Sequence, residues 1–119
     1  MKRLFYLLLL FPLCMQGHSF KVRNAVINYD NTESHQVVRA IGDLKHDITM
    51  VTGATGKGAS QIIVGTYGSK TISKLIAKGL INEQDLKSKW ASYVITVTNE
   101  KKPRLVIAGS DKRGTIYGI

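Results

Sequence analysis

Eight acidic residues, three histidines and one cysteine carry most of the reactive chemistry available to this chain. Asp43, His46 and Asp47 stand at i, i+3 and i+4, a spacing that puts three ligands on one side of a helix, where they could converge on a metal. His46, however, follows Val37 by nine residues, which places it half-way around the helix from the apolar stripe. The trio therefore reads as a solvated face. His35 lies about 16 Å further back along the same axis, too far to share an ion. No metal or cofactor is expected.

Carboxyl pairs facing each other across a scissile bond would mark a glycosidase. Asp30 and Asp111 each follow a strand, where α/β folds place their sites. Each also precedes a helix and is better explained as its cap, so no catalytic residue is expected. Neither a nucleophile elbow nor a Ser-His-Asp pattern is present. The run Gly53-Ala-Thr-Gly-Lys-Gly-Ala59 fails as a phosphate loop. Val51 stands where the first glycine belongs, Gly58 follows Lys57, and a helix feeds it instead of a strand.

Two small-residue turns remain, Gly65-Thr66 and Gly109-Ser110, each placed after a strand and opening a helix. Side by side they would offer backbone N–H groups to a carboxylate-sized anion; alternatively they let helix and strand approach closely, the reading preferred here. The loop Gly109, Ser110, Asp111, Lys112 and Arg113 is the candidate surface toward a substrate or a following domain, although solvated charge is the default for Lys112 and Arg113. Trp90 and Tyr93 could stack on a sugar, but core packing beside a strand is expected of both.

The elements that would position these residues follow from periodicity. Phe20 to Tyr29 is rich in β-branched and aromatic residues and predicts a strand. Val37, Ile41, Leu44, Ile48 and Val51 recur at helical spacing, begun by the polar run from Asp30 and stopped at Gly53. Gln61 to Val64 is a buried-type strand, and Ser69 caps a helix with Ile72, Leu75 and Ile76 on its inner face. Leu80 and Ile81 return to the core before a polar turn over 82–89. Residues 93–97 and 105–108 form an antiparallel pair across a loop ending at Pro103, and a short helix follows Asp111. The predicted fold is a small mixed α/β (α+β) domain: a sheet of about four strands, two full helices and a truncated third. Ile116, Tyr117 and Ile119 look like a packing face with nothing in the chain to cover it.

Residues 1–19 read as a secretory signal, with Lys2 and Arg3 ahead of an apolar run too short to span a bilayer. Lipoprotein cleavage before Cys14 is disfavoured by the bulk of Leu13. Removing the signal takes away the single cysteine and lowers the net charge from +9 to +7. About 100 residues remain, enough for one small domain spanning 20–119. Its lysines are scattered and no RNA-type aromatic motif is present, so neither nucleic acid nor a membrane span is expected. An exported protein, periplasmic or extracellular, fits better.

The stretch Ala108-Gly-Ser-Asp-Lys-Arg-Gly-Thr-Ile-Tyr-Gly118 resembles the end of the N-terminal domain of glycoside hydrolase family 115, the xylan α-1,2-glucuronidases. Ile62-Ile-Val-Gly-Thr-Tyr-Gly68 and Asp47 through Val51-Thr-Gly53 fit the same family in the same order. The resemblance implies a non-catalytic domain preceding a barrel that holds the catalytic carboxylates, with the present sequence stopping before that barrel. The full-length enzyme would remove glucuronic acid side groups from xylan. The implied partners are the barrel of the same protein and acidic xylan. A stand-alone carbohydrate-binding module is the alternative.

Overall fold

The computed structural model describes residues 20–54, 56 and 58–119; the expected secretory signal lies outside the described residues. Four strands, β1 (Val26–Asn28), β2 (Gln61–Thr66), β3 (Tyr93–Val97) and β4 (Leu105–Gly109), alternate with three helices, α1 (His35–Thr52), α2 (Lys70–Ala77) and α3 (Lys112–Gly118). The sheet order is β1-β2-β4-β3. β1, β2 and β4 run parallel, and β3 returns antiparallel along β4. The mixed four-stranded α/β fold is the one the sequence predicts.

Side chains of the central strands alternate between two apolar layers, as a period of two requires. Ile62, Val64 and Ile107 point to the face that carries α1 and α3, where Val37 and Ile41 are buried. Ile63, Val106 and Ala108 point to the opposite face, where Ile72 and Leu75 of α2 cover them. Ile62, Ile72, Leu86, Val64 and Val106 are among the largest fully buried side chains, and burial of each is worth about 1.5–3 kcal/mol.

Several boundaries differ from expectation, each for a local reason. The first strand keeps only three of its expected residues, because Asn24 takes a left-handed conformation and Ala25 N–H closes a turn onto Val22. Ser34 caps α1 by accepting from Val37 N–H, so Asp30 is left for other work. Val51 is exposed at the far end of α1. An 18-residue helix runs about 27 Å and outreaches a six-residue strand of about 20 Å. The polar turn after Ile81 folds into a 3-10 segment, Glu83–Asp85, that delivers Leu86 into the core. Ile116 and Ile119 also differ from expectation. They pack against the α1 face of the sheet, and only Tyr117 of that trio stays in solvent. Among the described residues no helix is long and apolar enough to cross a membrane.

Candidate functional site

Three parallel strands deliver three loops to one end of the sheet. In an open α/β sheet this carboxyl end is where ligands ordinarily sit. The candidate turns do meet there, with Gly65 beside Ala108 and Thr66 beside Gly109. A shallow cleft of about 280 Å³ opens next to them, with Glu33, Ser34, Thr66, Ser69 and Lys112 in its wall.

Thr66 and the helix-start N–H groups of that cleft are already engaged. Thr66 N–H donates to Glu33 Oε1 at 2.7 Å and its hydroxyl donates to Glu33 Oε2 at 2.8 Å. The Thr66 and Thr115 hydroxyl oxygens then share a hydrogen bond at 2.7 Å. At the start of α2, Lys70 N–H donates to Asp30 Oδ2 at 3.0 Å, while Oδ1 takes the Thr32 N–H and hydroxyl. At the start of α3, Asp111 Oδ1 accepts Gly114 N–H at 2.7 Å and Oδ2 accepts Ala91 N–H at 2.9 Å. Internal carboxylates thus take the Thr66, Lys70, Ala91 and Gly114 N–H groups that an outside anion would otherwise use. The seat between the two turns belongs to Glu33.

The same bonds fix the protonation states. The Thr32 N–H and hydroxyl, with Lys70 behind them, hold the Asp30 carboxyl below its ordinary 3.8. The Ala91 and Gly114 N–H groups do the same for Asp111. Both are ionised acceptors at neutral pH and have no proton to give, which removes them as general acids. Asp30 and Asp111 are anchors. Asp43, His46 and Asp47 lie exposed on the outer side of α1, and among the described residues no cluster is set to hold a metal.

The glycines of the C-terminal motif have a packing role. A Cβ on Gly109 would lie 2.1 Å from Thr115 N, and one on Gly114 would lie 2.1 Å from Ser92 O. One on Gly118 would press on Ile107 and Tyr93. These three positions let α3 lie flat across β4 and β3. In the second turn, a Cβ on Gly65 would meet Ile72 at 2.6 Å. Ser110 ties the arrangement to β3: its N–H donates to Ser92 O, and its hydroxyl accepts Ser92 N–H at 3.0 Å.

Lys112 and Arg113 are exposed, and the Arg113 guanidinium stands 5.2 Å from the centre of the Trp90 ring. Trp90 is 76% exposed and Tyr93 47%, so the expected core packing of these two does not occur. The cause is their position. Trp90 precedes β3, and Tyr93 lies on it, the edge strand of the sheet among the described residues.

Sequence reasoning missed the Glu33–Thr66–Thr115 chain and the Tyr67 hydroxyl bond to Glu83 at 2.6 Å. That bond raises the Tyr67 hydroxyl above its ordinary 10.0. Neither has a local signal, since the partners are far apart in the chain and only the tertiary fold brings them together.

No protein-family model matches this chain, and no curated protein matches it. Solved structures do. Among the matches is BtGH115A, described as a family GH115 4-O-methyl-α-glucuronidase with specificity for decorated arabinogalactans. The two align with a TM-score of 0.65 and 33% identity, over 79% of this chain. Over that stretch this chain is similar to a GH115 glycoside hydrolase. The expected resemblance to GH115 therefore stands. The chain spans 12% of the length of that GH115 protein.

Proposed function

We propose that the chain is a non-catalytic docking domain of an exported GH115-type enzyme that removes glucuronic acid side groups from a plant polysaccharide. Xylan is the substrate polymer implied by the sequence motif; decorated arabinogalactan, named for the solved GH115 protein, is the alternative polymer. One observation carries the non-catalytic reading: the carboxylates at the carboxyl end of the sheet are each spent on backbone N–H groups. Retaining or inverting hydrolysis needs two carboxyls free to face a sugar. The docking reading is supported by apolar side chains left in solvent on β3, Tyr93 and Ile95.

The secretory reading of residues 1–19 supports export, and an exported GH115 enzyme would meet its polymer outside the cell. The decisive assay is release of glucuronic acid from glucuronoxylan by the purified chain. The expected result is none. Turnover that co-purifies with the chain and disappears in Asp30→Asn or Asp111→Asn would overturn the reading.

A further inference from the structure

The chain's single tryptophan is presented to solvent by a loop built to hold it there. Ser88 and Ala91, two residues either side of it in the chain or nearer, both take left-handed backbone conformations, with φ of 59° and 50°. Side chains other than glycine rarely adopt that region, and such strain persists only where surrounding bonds enforce it. Here they do. Ala91 N–H is held by the Asp111 carboxylate, and Ser92 is bonded through both its N–H and its carbonyl to Ser110. The Trp90 loop is thereby fastened to the N-terminal turn of α3. Arg113, in that same turn, lays its guanidinium over one side of the indole.

A ring 76% exposed with a cation on one side leaves its opposite face to solvent. Tryptophan burial is strongly favourable, so an immobilised, outward indole is an unusual use of the residue. Lys87 and Lys89 are exposed beside it in the chain. Arg113 makes no ion pair among the described residues, so its fork of donors remains available to a carboxylate. Tyr117, 60% exposed, follows Arg113 by one helical turn on the same face of α3.

We propose that Trp90 and Arg113 form a binding site for an acidic saccharide. The open indole face stacks on a pyranose ring and the guanidinium takes the uronate carboxylate. The stackable, anionic character of the ligand follows from the site; the choice of a sugar over a nucleotide rests on the GH115 reading above.

Because the chain has one tryptophan, its intrinsic fluorescence reports on this site alone. The full chain is titrated at 0.15 M salt with three probes: a xylo-oligosaccharide bearing one glucuronic acid, the same oligosaccharide without it, and an oligothymidylate. The expected result is saturable quenching by the first, with at least tenfold weaker binding of the second and third. Arg113→Ala removes the tenfold preference for the acidic sugar and leaves the melting temperature unchanged. Trp90→Ala abolishes retardation of the chain in a glucuronoxylan-containing native gel. Absence of saturable binding, equal binding of the neutral sugar, or tighter binding of the oligothymidylate overturns the proposal. The non-catalytic and docking readings are untouched by these outcomes, since they rest on glucuronic acid release and on β3.

Discussion

The carboxyl end of the parallel strands and the corner formed by β3 and α3 have opposite characters. At the first, Asp30, Glu33, Asp111, Thr66 and Thr115 answer one another, and charge meets a donor at each step. At the second, Trp90, Tyr93, Ile95 and Tyr117 face solvent, and Arg113 lies over the Trp90 indole without an ion pair among the described residues. The end that looks like a site by fold convention is closed by its own side chains. The corner that fold convention ignores is open. A satisfied polar network fixes geometry but has little left to bind with, whereas exposed aromatic and aliphatic surface has a free-energy gain still to make.

The sharpest way to break this contrast is to disturb the closed end. Gly109→Ala should be the most damaging single substitution, because the new methyl would meet backbone and hydroxyl atoms of Thr115 at 2.1 to 2.5 Å. Overpacking ordinarily costs about 1–3 kcal/mol, and a clash with backbone belongs at or above the top of that range. Gly42→Ala is the matched control. A Cβ there meets nothing within 4 Å, and exchanging a helical glycine for alanine gains roughly 1 kcal/mol. Urea unfolding of the two variants should shift the midpoint in opposite directions. A Gly109→Ala midpoint near that of the parent would show that α3 is not seated as described.

Acid should open the closed end next. The carboxyls of Asp30 and Asp111 are held below 3.8, and that of Glu100 below 4.5 by its ion pair with Arg104 at 2.8 Å. A depressed native value means the unfolded chain takes up protons first as pH falls. The stabilisation is therefore complete above about pH 5 and is lost as pH drops through the ordinary values toward the lower native ones. The melting temperature should decline below pH 4. Asp30→Asn and Asp111→Asn should each flatten the decline while keeping an oxygen in the cap. A pH profile identical to that of the parent in both would remove these carboxylates from the network.

Much of this was legible in the sequence, and the rest was hidden for physical reasons. Ser69 and Gly53 are local stop-and-start signals and sit where expected, as do the apolar stripe of α1 as far as Ile48 and that of α2. The mixed sheet followed from strand composition and loop length. What local pattern cannot carry is partnership at long separation. Glu33 and Thr66 meet only because β1, α1 and β2 close a right-sized unit. Asp30 looked like the cap of the helix that follows it, yet its carboxylate reaches Lys70, forty positions on. Trp90 and Tyr93 were assigned to the core because large aromatics usually go there. Both lie on or just before an edge strand, and which strand falls at the edge is set by sheet order, which local pattern does not carry. The interior position of Leu86 was missed because its neighbours are polar and a 3-10 turn has no apolar period of its own.

The smallest expected effect on stability tests the open corner. Ile95 lies on an edge strand and is 53% exposed, so Ile95→Lys removes little buried area. A surface change of this kind ordinarily stays within about 0.5 kcal/mol, and the urea midpoint should hardly move. Association should move instead. β3 exposes apolar side chains and, beyond β4, has no further strand paired to it among the described residues. An edge of that type recruits other chains, and a lysine on it is a common way of preventing this. The parent chain should therefore sediment with a mass that rises with concentration, whereas Ile95→Lys should remain a monomer. In a GH115 enzyme carrying this domain, the same change should make the domain easier to release by protease. A parent chain that is monomeric at every concentration, together with an enzyme whose proteolysis ignores Ile95→Lys, would mean that the β3 edge docks nothing. The corner would then be left with the saccharide site alone.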